Sequence, residues 1–389
     1  MIYLDNAATT PARREVLEAM WPYLTGEFGN PSSHHELGER AARAVTLARE
    51  VIAEQLGCRP SELIFTSGGT EADNLAIKGI ALAAPRGRRI LTTATEHEAV
   101  LASCDYLRRF HDFEIVEVPL DGAGLDGAGL VDVDAFSRLL SPDTTLVSIA
   151  HANNEIGTVQ PIAELAALAR AAGVPFHSDA VQSAGWLDVG LRRLGVDALS
   201  VAGHKLGAPK GIGVLALRAG VPLEPLLHGG GQERGRRSGT ENVAAIVGLA
   251  TAVRLAAETR NQAAAVEGVR DALIDGVLAA VPTARLTGSR RHRLANSASF
   301  VFPGTSGEAV LLELEARGIV CSSGSACAAG SDEPSHVLVA IGIAPELAQT
   351  AVRFTLGHET TRAEVDETVL RVRDAVAALR GHRVHGGLL

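Results

Sequence analysis

Three lysines are the candidate amine nucleophiles of this chain, because all of its other Lys and Arg positions are arginines. Of 36 lysine and arginine residues, only Lys78, Lys205 and Lys210 are lysines. Lys205 follows a predicted strand in a glycine-containing segment, where burial can lower the pKa of an amine enough for it to attack an aldehyde. Lys210 is the alternative, and Lys78 is expected to be solvated in mid-helix. A surface lysine in a loop is the structural alternative for Lys205.

Two further segments supply what an imine-forming cofactor needs beside an amine. Asp179 ends the predicted strand before the one that leads to Lys205, and open parallel sheets bind ligands at the carboxyl ends of their strands. Residues 67–74 join a strand to a helix that Thr70 can cap, and the free N–H groups of a helix N-terminus attract phosphate. Carboxylate, amine and phosphate cradle are together what pyridoxal phosphate requires. Taken singly, Asp179 fits a helix N-cap and residues 67–74 fit an ordinary capped helix.

A candidate sulfur nucleophile lies in residues 321–334, a run of small residues with two cysteines and no apolar anchor. Cys327 stands in its middle, where a thiol is accessible and becomes nucleophilic once deprotonated. Cys321, Cys58 and Cys104 are expected to be packing or incidental thiols. The chain has no CxxC pair and no recognisable leader, so we expect reduced thiols and a cytoplasmic protein.

Three other segments carry polar groups at predicted strand ends or in a basic loop. His97 can stack on a flat cofactor or exchange protons, or it can be structural. Residues 153–155 offer the Asn154 amide, which can contact a ring substituent of a cofactor or a carboxylate. Residues 229–240 form a glycine-rich basic loop leading into a long helix that Thr240 is expected to cap; it can bind phosphate or be a solvated loop, and its candidate ligands are Arg234, Arg236, Arg237 and Thr240.

Composition excludes several function classes. The 389 residues carry a formal net charge of −9, which argues against nucleic acid or anionic lipid as a general partner. The longest apolar stretch, residues 243–253, is shorter than the ~20 residues that span a bilayer. The histidines show no HExxH spacing, so metal catalysis is not expected.

The elements that must position these groups form an α/β fold. Short β-rich runs alternate with helical patterns, which is typical of a mostly parallel sheet covered on both faces. We expect about seven strands, at residues 63–65, 89–91, 113–118, 145–150, 174–177, 198–201 and 212–217. A crossover helix is predicted at 161–173, and a smaller C-terminal α+β part has helices at 308–317 and 362–379 and strands at 299–302 and 352–356.

The long helical stretch that opens near Thr240 and passes Arg260 is expected to contain the domain boundary. The prediction is a large domain at residues 15–255 and a small domain formed by residues 1–14 and 256–389, which carries the Cys327 loop. This arrangement places the candidate thiol on a different domain from Lys205.

The chain resembles the cysteine desulfurases of the NifS/IscS kind, which are fold-type I, class V pyridoxal phosphate enzymes. The resemblance runs through most of the chain. It is carried by residues 3–11, 29–33, 65–71, 95–97, 153–157, 179–182, 203–205, 229–240, 322–327 and 352–357.

The resemblance implies a role for each matched position. Lys205 would hold the cofactor covalently, Asp179 its pyridine nitrogen and Gln182 its ring oxygen, while His97 stacks on the ring. The phosphate would lie on Gly69, Thr70 and His204, and Thr240 would reach the phosphate of a neighbouring subunit, which implies a homodimer. Asn154 and Arg353 would hold the substrate, the guanidinium being suited to an α-carboxylate.

The implied reaction converts L-cysteine to L-alanine, with Lys205 moving the Cα proton and Cys327 taking the sulfur as a persulfide. A sulfur-acceptor protein, such as an iron–sulfur scaffold, is the implied partner, and Cys327 is also a candidate transient iron–sulfur ligand. Ala202 departs from relatives that have a hydroxyl residue there, and the chain ends at Leu389, before the tail with which some relatives dock a scaffold. Selenocysteine lyase and class V aminotransferase are the alternative activities, and a cofactor-free binding protein is a third hypothesis.

Overall fold

A computed structural model describes residues 1–122, 124–126, 129–323 and 333–385. The strands are β1 Ile2–Tyr3, β2 Leu63–Thr66, β3 Arg89–Thr92, β4 Glu114–Glu117, β5 Leu120–Asp121, β6 Leu130–Val131, β7 Thr144–Ser148, β8 Phe176–Asp179, β9 Ala198–Ala202, β10 Gly213–Leu217, β11 Arg285–Leu286, β12 Ser297–Val301, β13 Ile319–Val320, β14 Ser322–Ser323 and β15 Ala351–Thr355. The helices are α1 Arg14–Thr25, α2 Glu36–Gln55, α3 Gly69–Ala83, α4 Glu98–His111, α5 Val133–Leu139, α6 Ile162–Ala171, α7 Leu191–Leu194, α8 Val243–Thr259, α9 Ala263–Ala280, α10 Gly307–Ala316, α11 His336–Ala340, α12 Pro345–Ala348 and α13 Arg362–His385.

The central sheet has seven strands in the order β2-β10-β9-β8-β7-β3-β4, so all seven strands expected from the sequence are confirmed. Its pairs are parallel except those of β10, which runs antiparallel to both β2 and β9. Alternate side chains of each strand enter two different cores. Leu63 and Phe65 pack with α1, α2 and α8 on one face, and Ile64 packs with α3 and α4 on the other.

A second sheet, β11-β12-β15-β14, is antiparallel and packs with α9, α10 and α13 around a separate core. The predicted crossover helix and C-terminal elements match α6, α10, α13, β12 and β15 to within a few residues, apart from a longer α13. The N-terminal strand β1 pairs in parallel with β13, and Ile2 and Leu4 lie in this second core. The division of the chain at residues 15 and 255 stays a prediction.

The long helical stretch differs from the expectation at its start. Asn242, not Thr240, caps α8, and its side-chain oxygen accepts a hydrogen bond from the N–H of Ala245 at 3.1 Å. Asparagine is at least as good a cap as threonine, and Thr240 lies too far upstream to reach the first turn. A short 3₁₀ turn, Arg260–Gln262, then separates α8 from α9.

Candidate active site

A cavity of about 290 Å³ lies where β7, β8 and β9 end and α3 begins. Parallel strands that end at one edge bring their following residues together there. Nine residues singled out from the sequence line this cavity: Gly69, Thr70, His97, Asn154, Asp179, Gln182, His204, Lys205 and Arg353. They come from widely separated parts of the chain, so the fold assembles them.

Lys205 reaches this cavity from a 3₁₀ turn that follows β9. Its Nζ donates hydrogen bonds to the carbonyl oxygens of Ala7 and Ala8, the second at 2.8 Å. Lys210 is exposed and does not line the cavity, so it is not a substitute nucleophile there. The expectation of a solvated Lys78 is wrong: it is half-buried, its Nζ lies 4.4 Å from the ring centre of Tyr106, and burial lowers its pKa.

Asp179 ends β8 with its carboxylate buried at the cavity wall. Burial raises its pKa, whereas the N–H of Val181, which donates to Oδ1 at 2.8 Å, and the nearby His97 and Lys205 oppose that rise. The helix N-cap interpretation is wrong, because the residues after Asp179 form turns and not a helix. Its hydrogen bond to Val181 closes an Asx turn that fixes the carboxylate toward the cavity.

The N-terminus of α3, where an anion site is expected from the sequence, lies at the cavity. The first intrahelical hydrogen bond is donated by Ala72 to the Gly68 carbonyl at 3.1 Å, so the N–H groups of residues 69–71 precede the helix's own bonding pattern. Thr70 is not the cap: Gly68 occupies that position, and Glu71 accepts from the N–H of Ser67 at 2.7 Å. Thr70 lies in the first turn and lines the cavity.

Two histidines face the cavity with their ring orientation fixed. His97 caps α4, and its Nδ1 accepts from the N–H of Ala99 at 3.1 Å, so the ring is both structural and at the site. His204 Nδ1 lies 3.2 Å from the hydroxyl of Thr9. Burial, with a contribution from the neighbouring lysine charges, lowers the pKa of His204 to about 4, so its ring is neutral at pH 7.

Arg353 projects from β15 with its guanidinium buried at the other side of the cavity. One terminal nitrogen donates to the carbonyl oxygen of Asn154 at 2.8 Å, and the other lies 2.9 Å from Oδ1 of Asp5. Within the described part of the chain, the buried Nε has no hydrogen-bond partner. A donor left free in a buried site can bind an incoming carboxylate, at the cost of little reorganisation.

Sequence reasoning missed several residues that shape the site. Asp5 pairs with Arg353, and the carbonyl of Ala7 accepts from both Lys205 and the Gln182 amide, the latter at 3.0 Å. Asp73 also lines the cavity from α3. Asp73 falls three and four residues before inward-facing Ala76 and Ile77, and that spacing was a usable signal for a buried carboxyl.

The basic loop lies away from the cavity lining. Arg237 pairs with Glu71 at 2.8 Å, and Arg234 and Arg236 donate to backbone carbonyls of residues 63 and 61. These arginines therefore contact the protein itself in this structure, and their role as phosphate ligands stays a prediction. Thr240 is exposed and does not line the cavity.

Cys327 lies outside the described residues. The other three cysteines are free thiols, and burial raises the pKa of Cys58 and of Cys104 to about 12 and raises that of Cys321 still further. A thiol with a raised pKa is a poor nucleophile near neutral pH. The expectation that these three are not reactive is consistent with their surroundings.

The described part of the chain contains neither a cluster of metal-ligating side chains nor a membrane-spanning helix. Among residues 1–122, 124–126, 129–323 and 333–385, no group of three or more His, Cys, Asp or Glu side chains has the geometry of a metal site. Within the same ranges, no helix has both the length and the apolar character needed to cross a membrane.

Comparison with known proteins identifies the family. The profile described as Aminotransferase class-V matches residues 2–368. "Cysteine desulfurase IscS" of Dictyoglomus turgidum is 45% identical over 381 residues, covering 97% of this chain and 95% of that protein. The chain belongs to the cysteine desulfurases. "Cysteine desulfurase NifS" of Azotobacter vinelandii is also 45% identical, over 97% of this chain and 93% of its own length.

The fold of this cysteine desulfurase agrees with that family. A solved structure described as a NifS-like protein superposes with a TM-score of 0.89 and 37% identity, over 97% of this chain and all of the other. The NifS/IscS resemblance, the α/β fold class and the enzyme class expected from the sequence are therefore confirmed.

Proposed function

We propose that this cysteine desulfurase binds pyridoxal 5′-phosphate in the 290 Å³ cavity and converts L-cysteine to L-alanine, with the sulfur received by Cys327 as a persulfide. The observation that carries the proposal is that Lys205, Asp179 and the N-terminus of α3 line one cavity. An amine, a carboxylate and an anion site are the three groups that hold this cofactor.

The chemistry of the cavity wall fits each part of the cofactor. Lys205 offers the amine for the aldehyde, and Asp179 a buried carboxylate for the ring nitrogen. The N–H groups that open α3, together with Thr70 and neutral His204, suit the phosphate. His97 lies at the cavity for stacking on the ring, and the Gln182 amide is available for the ring oxygen.

When bound, the cofactor supplies an electron sink that stabilises negative charge at the substrate Cα. This chain's part is to orient the substrate and to move protons. Arg353 and Asn154 are proposed to hold the α-carboxylate, so that Cα lies near Lys205. When the Lys205 amine is not bonded to the cofactor, its Nζ is the base proposed to take the Cα proton. Ala202 has no hydroxyl to offer the phosphate, so that contact falls to the other groups at the α3 N-terminus.

Cys327 is proposed to attack the substrate sulfur. The new S–S bond forms as the C–S bond of cysteine breaks, and that electron pair stays with the carbon fragment. The proton lost by the Cys327 thiol is balanced by the one gained at the substrate Cβ, and the fragment leaves as L-alanine. Ser322 pairs with Arg353 across β14 and β15, so the strand that leads to Cys327 starts at the substrate site. Cys327 is four positions after Ser323 in the sequence, a span of at most about 14 Å at ~3.5 Å per residue.

The residues that follow the segment 324–332 also contact the site region. The Ser335 hydroxyl donates to the Glu155 carboxylate, and His336 Nε2 lies 3.0 Å from the carbonyl oxygen of Glu96. Glu155 adjoins Asn154 and Glu96 adjoins His97. Both described ends of this segment therefore lie against neighbours of the proposed substrate and cofactor ligands, which supports Cys327 as the acceptor.

A homodimer is proposed because Thr240 lies exposed outside the cavity of its own chain, where it is free to reach a partner's phosphate. Helix α8 begins shortly after Thr240, and helix α1 packs on it. The outer face of α1 exposes large apolar side chains. Exposed apolar surface of this kind is typical of protein interfaces. The residues are Leu17, Trp21, Leu24 and, just beyond the helix, Phe28.

The sulfur is proposed to pass to an acceptor protein, such as an iron–sulfur scaffold, in the cytoplasm, where the free thiols of Cys58, Cys104 and Cys321 are stable. Cys327 remains a candidate transient iron–sulfur ligand. The alternatives on this scaffold are a selenocysteine lyase and a class V aminotransferase.

One experiment tests the proposed activity. Purified protein with pyridoxal phosphate is incubated with L-cysteine, and alanine and protein persulfide are quantified together. Equal amounts of alanine and sulfur are expected. Steady turnover only when a keto acid is added points to transamination, and a strong preference for selenocysteine points to the lyase; either result overturns the proposal.

A further inference from the structure

Asp73 is a buried carboxyl at the cavity that the proposed reaction does not use. It projects from α3, is 1% exposed and lines the same cavity as Asp179. Its Oδ1 has no hydrogen-bond partner among the residues that the structure describes, and it lies 3.6 Å from Nε2 of His177. A buried carboxylate left without a matching cation is costly, so its proton state needs an explanation.

A chain of hydroxyl and imidazole groups leads away from Asp73 beneath the cavity. The Ser200 hydroxyl is adjacent to the Asp73 carboxyl and opposes the rise of its pKa. The same hydroxyl lies 3.0 Å from Nε2 of His177. Nδ1 of the same ring lies 2.9 Å from the hydroxyl of Ser148. These three side chains are buried on the neighbouring strands β9, β8 and β7.

The chain can hold its protons in either of two directions. If Asp73 is protonated, its OH donates to Ser200, Ser200 donates to His177 Nε2, and Nδ1–H donates to Ser148. If Asp73 is ionised, Ser148 donates to Nδ1, Nε2–H donates to Ser200, and Ser200 donates to the Asp73 carboxylate. Both arrangements satisfy each link, so the charge nearby decides between them.

The surrounding charges favour a protonated Asp73. Burial is the largest cause of its raised pKa, and the negative charge of Asp179 raises it further. His177 supplies no cation, because burial lowers its pKa to about 3. Glu96 is itself uncharged at pH 7, with its pKa raised to about 8 by burial. Asp179, by contrast, has the Val181 N–H, His97 and Lys205 to stabilise its charge.

We propose that Asp73 is a positioning residue that stays uncharged, donates through Ser200 to His177, and thereby leaves the negative charge on Asp179. Two buried carboxylates that share a site do not both ionise readily, and the one with the better donors keeps the charge. The inference rests on the proposed function in one respect, since Asp179 then faces the ring nitrogen of the cofactor as the charged partner.

The first test uses the cofactor-free protein and so does not depend on the proposed activity. Infrared difference spectra at pH 7 compare wild type with Asp73→Asn, an isosteric mimic of the neutral carboxyl. We expect loss of a protonated-carboxyl band in the variant. Loss of a carboxylate band overturns the proposal. Asp105→Asn is the matched control, because this α4 carboxylate is 41% exposed, and it should remove a carboxylate band.

The second test uses the cofactor-loaded enzyme. Asp73→Asn should keep the cofactor dissociation constant within about threefold of wild type and leave the pH titration of the bound chromophore unchanged. Asp179→Asn, which removes a charge-assisted hydrogen bond, should weaken cofactor binding by about 10- to 100-fold. A chromophore titration shifted by one pH unit or more in Asp73→Asn overturns the proposal.

A further variant covers the case in which Asp73→Asn does not fold. Ser200→Ala removes the link to His177 but keeps Asp73. Its cofactor-free infrared spectrum at pH 7 should retain the protonated-carboxyl band at a changed frequency, because the carboxyl has lost its acceptor. If the protonated-carboxyl band assigned to Asp73 is instead replaced by a carboxylate band, the proposal is overturned.

Discussion

Ser322 lies directly opposite Arg353 in the antiparallel pair of β14 and β15. This register joins the strand that precedes the cysteine-containing segment to the guanidinium proposed to hold the substrate. A substrate bound by Arg353 is therefore close to the start of that segment, which gives a physical reason for sulfur transfer to Cys327 rather than to another cysteine.

Replacing Cys327 by serine should reduce alanine and persulfide formation by about 10³-fold or more, because the sulfur nucleophile is lost. Cofactor absorption should be unchanged. The measurement is alanine release per subunit with saturating L-cysteine. The matched control is Cys104→Ser, whose thiol is buried in the core on α4. Wild-type activity in Cys327→Ser would remove this thiol from the mechanism.

Replacing Arg353 by lysine should lower kcat/KM for L-cysteine by about 10- to 100-fold, since lysine cannot match a carboxylate in a bidentate manner. The ion pair with Asp5 retains a cation in this variant, so the site should remain folded. Steady-state kinetics with a thermal unfolding control measure both effects. An unchanged kcat/KM with unchanged stability would exclude Arg353 as the carboxylate ligand.

Breaking the buried pair between Arg49 and Glu233 should destabilise the protein. The guanidinium binds both carboxylate oxygens, at 2.6 and 2.9 Å, and Glu233 also accepts from the Phe65 N–H at 3.1 Å. Arg49→Ala leaves that carboxylate buried without its cation, at a cost of about 3–5 kcal/mol in the free energy of unfolding. Denaturant unfolding of wild type and Arg49→Ala measures this loss of unfolding free energy. The double variant Arg49→Met with Glu233→Gln should recover part of the loss, and no recovery would argue against uncompensated charge as the cause.

Lowering the pH should destabilise the protein through buried histidines such as His151. Burial lowers the pKa of His151 to about 4 from a reference value of 6.5, so below pH 6.5 the unfolded state binds a proton that the folded state does not. The part of the unfolding free energy that depends on a neutral His151 is fully present above pH 6.5 and is lost as the pH falls toward 4. It amounts to about 2 kcal/mol between pH 7 and pH 5.

The check is a comparison of pH dependence. Unfolding free energies of wild type and His151→Asn are measured at pH 7 and at pH 5. The variant should lose about 2 kcal/mol less than wild type over this interval, whatever its absolute stability. Equal losses in the two proteins would show that His151 is protonated in the folded state as readily as in the unfolded state.

A mixing experiment tests the role of Thr240 across subunits. Thr240→Ala should weaken cofactor binding by about 10- to 100-fold, the effect of one lost hydrogen bond to a charged group. Mixing Thr240→Ala with Lys205→Ala subunits should give a population of dimers in which one site has both residues intact. Recovery of tight cofactor binding at such sites supports a shared site, and a monomeric protein by ultracentrifugation contradicts it.

Local patterns were enough to predict the strands and the residues around the cavity. Leu63, Ile64 and Phe65 form a short apolar run that could only be a strand buried on both faces, and motifs such as residues 203–205 follow such strands directly. Because ligand-binding residues in open α/β sheets follow the carboxyl ends of strands, finding the strands also located Asp179 and Lys205. The basic loop was harder, since nothing local shows that Arg237 pairs with Glu71, a residue far away in the sequence.

By itself, the sequence determined the fold class, the family and most of the candidate ligands, because each depends on short-range spacing. Only the tertiary structure decided which groups carry charge and where they are held. Arg353 meets Asp5 across almost the whole length of the chain, and Asp73 meets Asp179 and His177 in a buried site. Burial and the contacts of distant residues set those proton states, and neither is a property of neighbouring positions in the sequence.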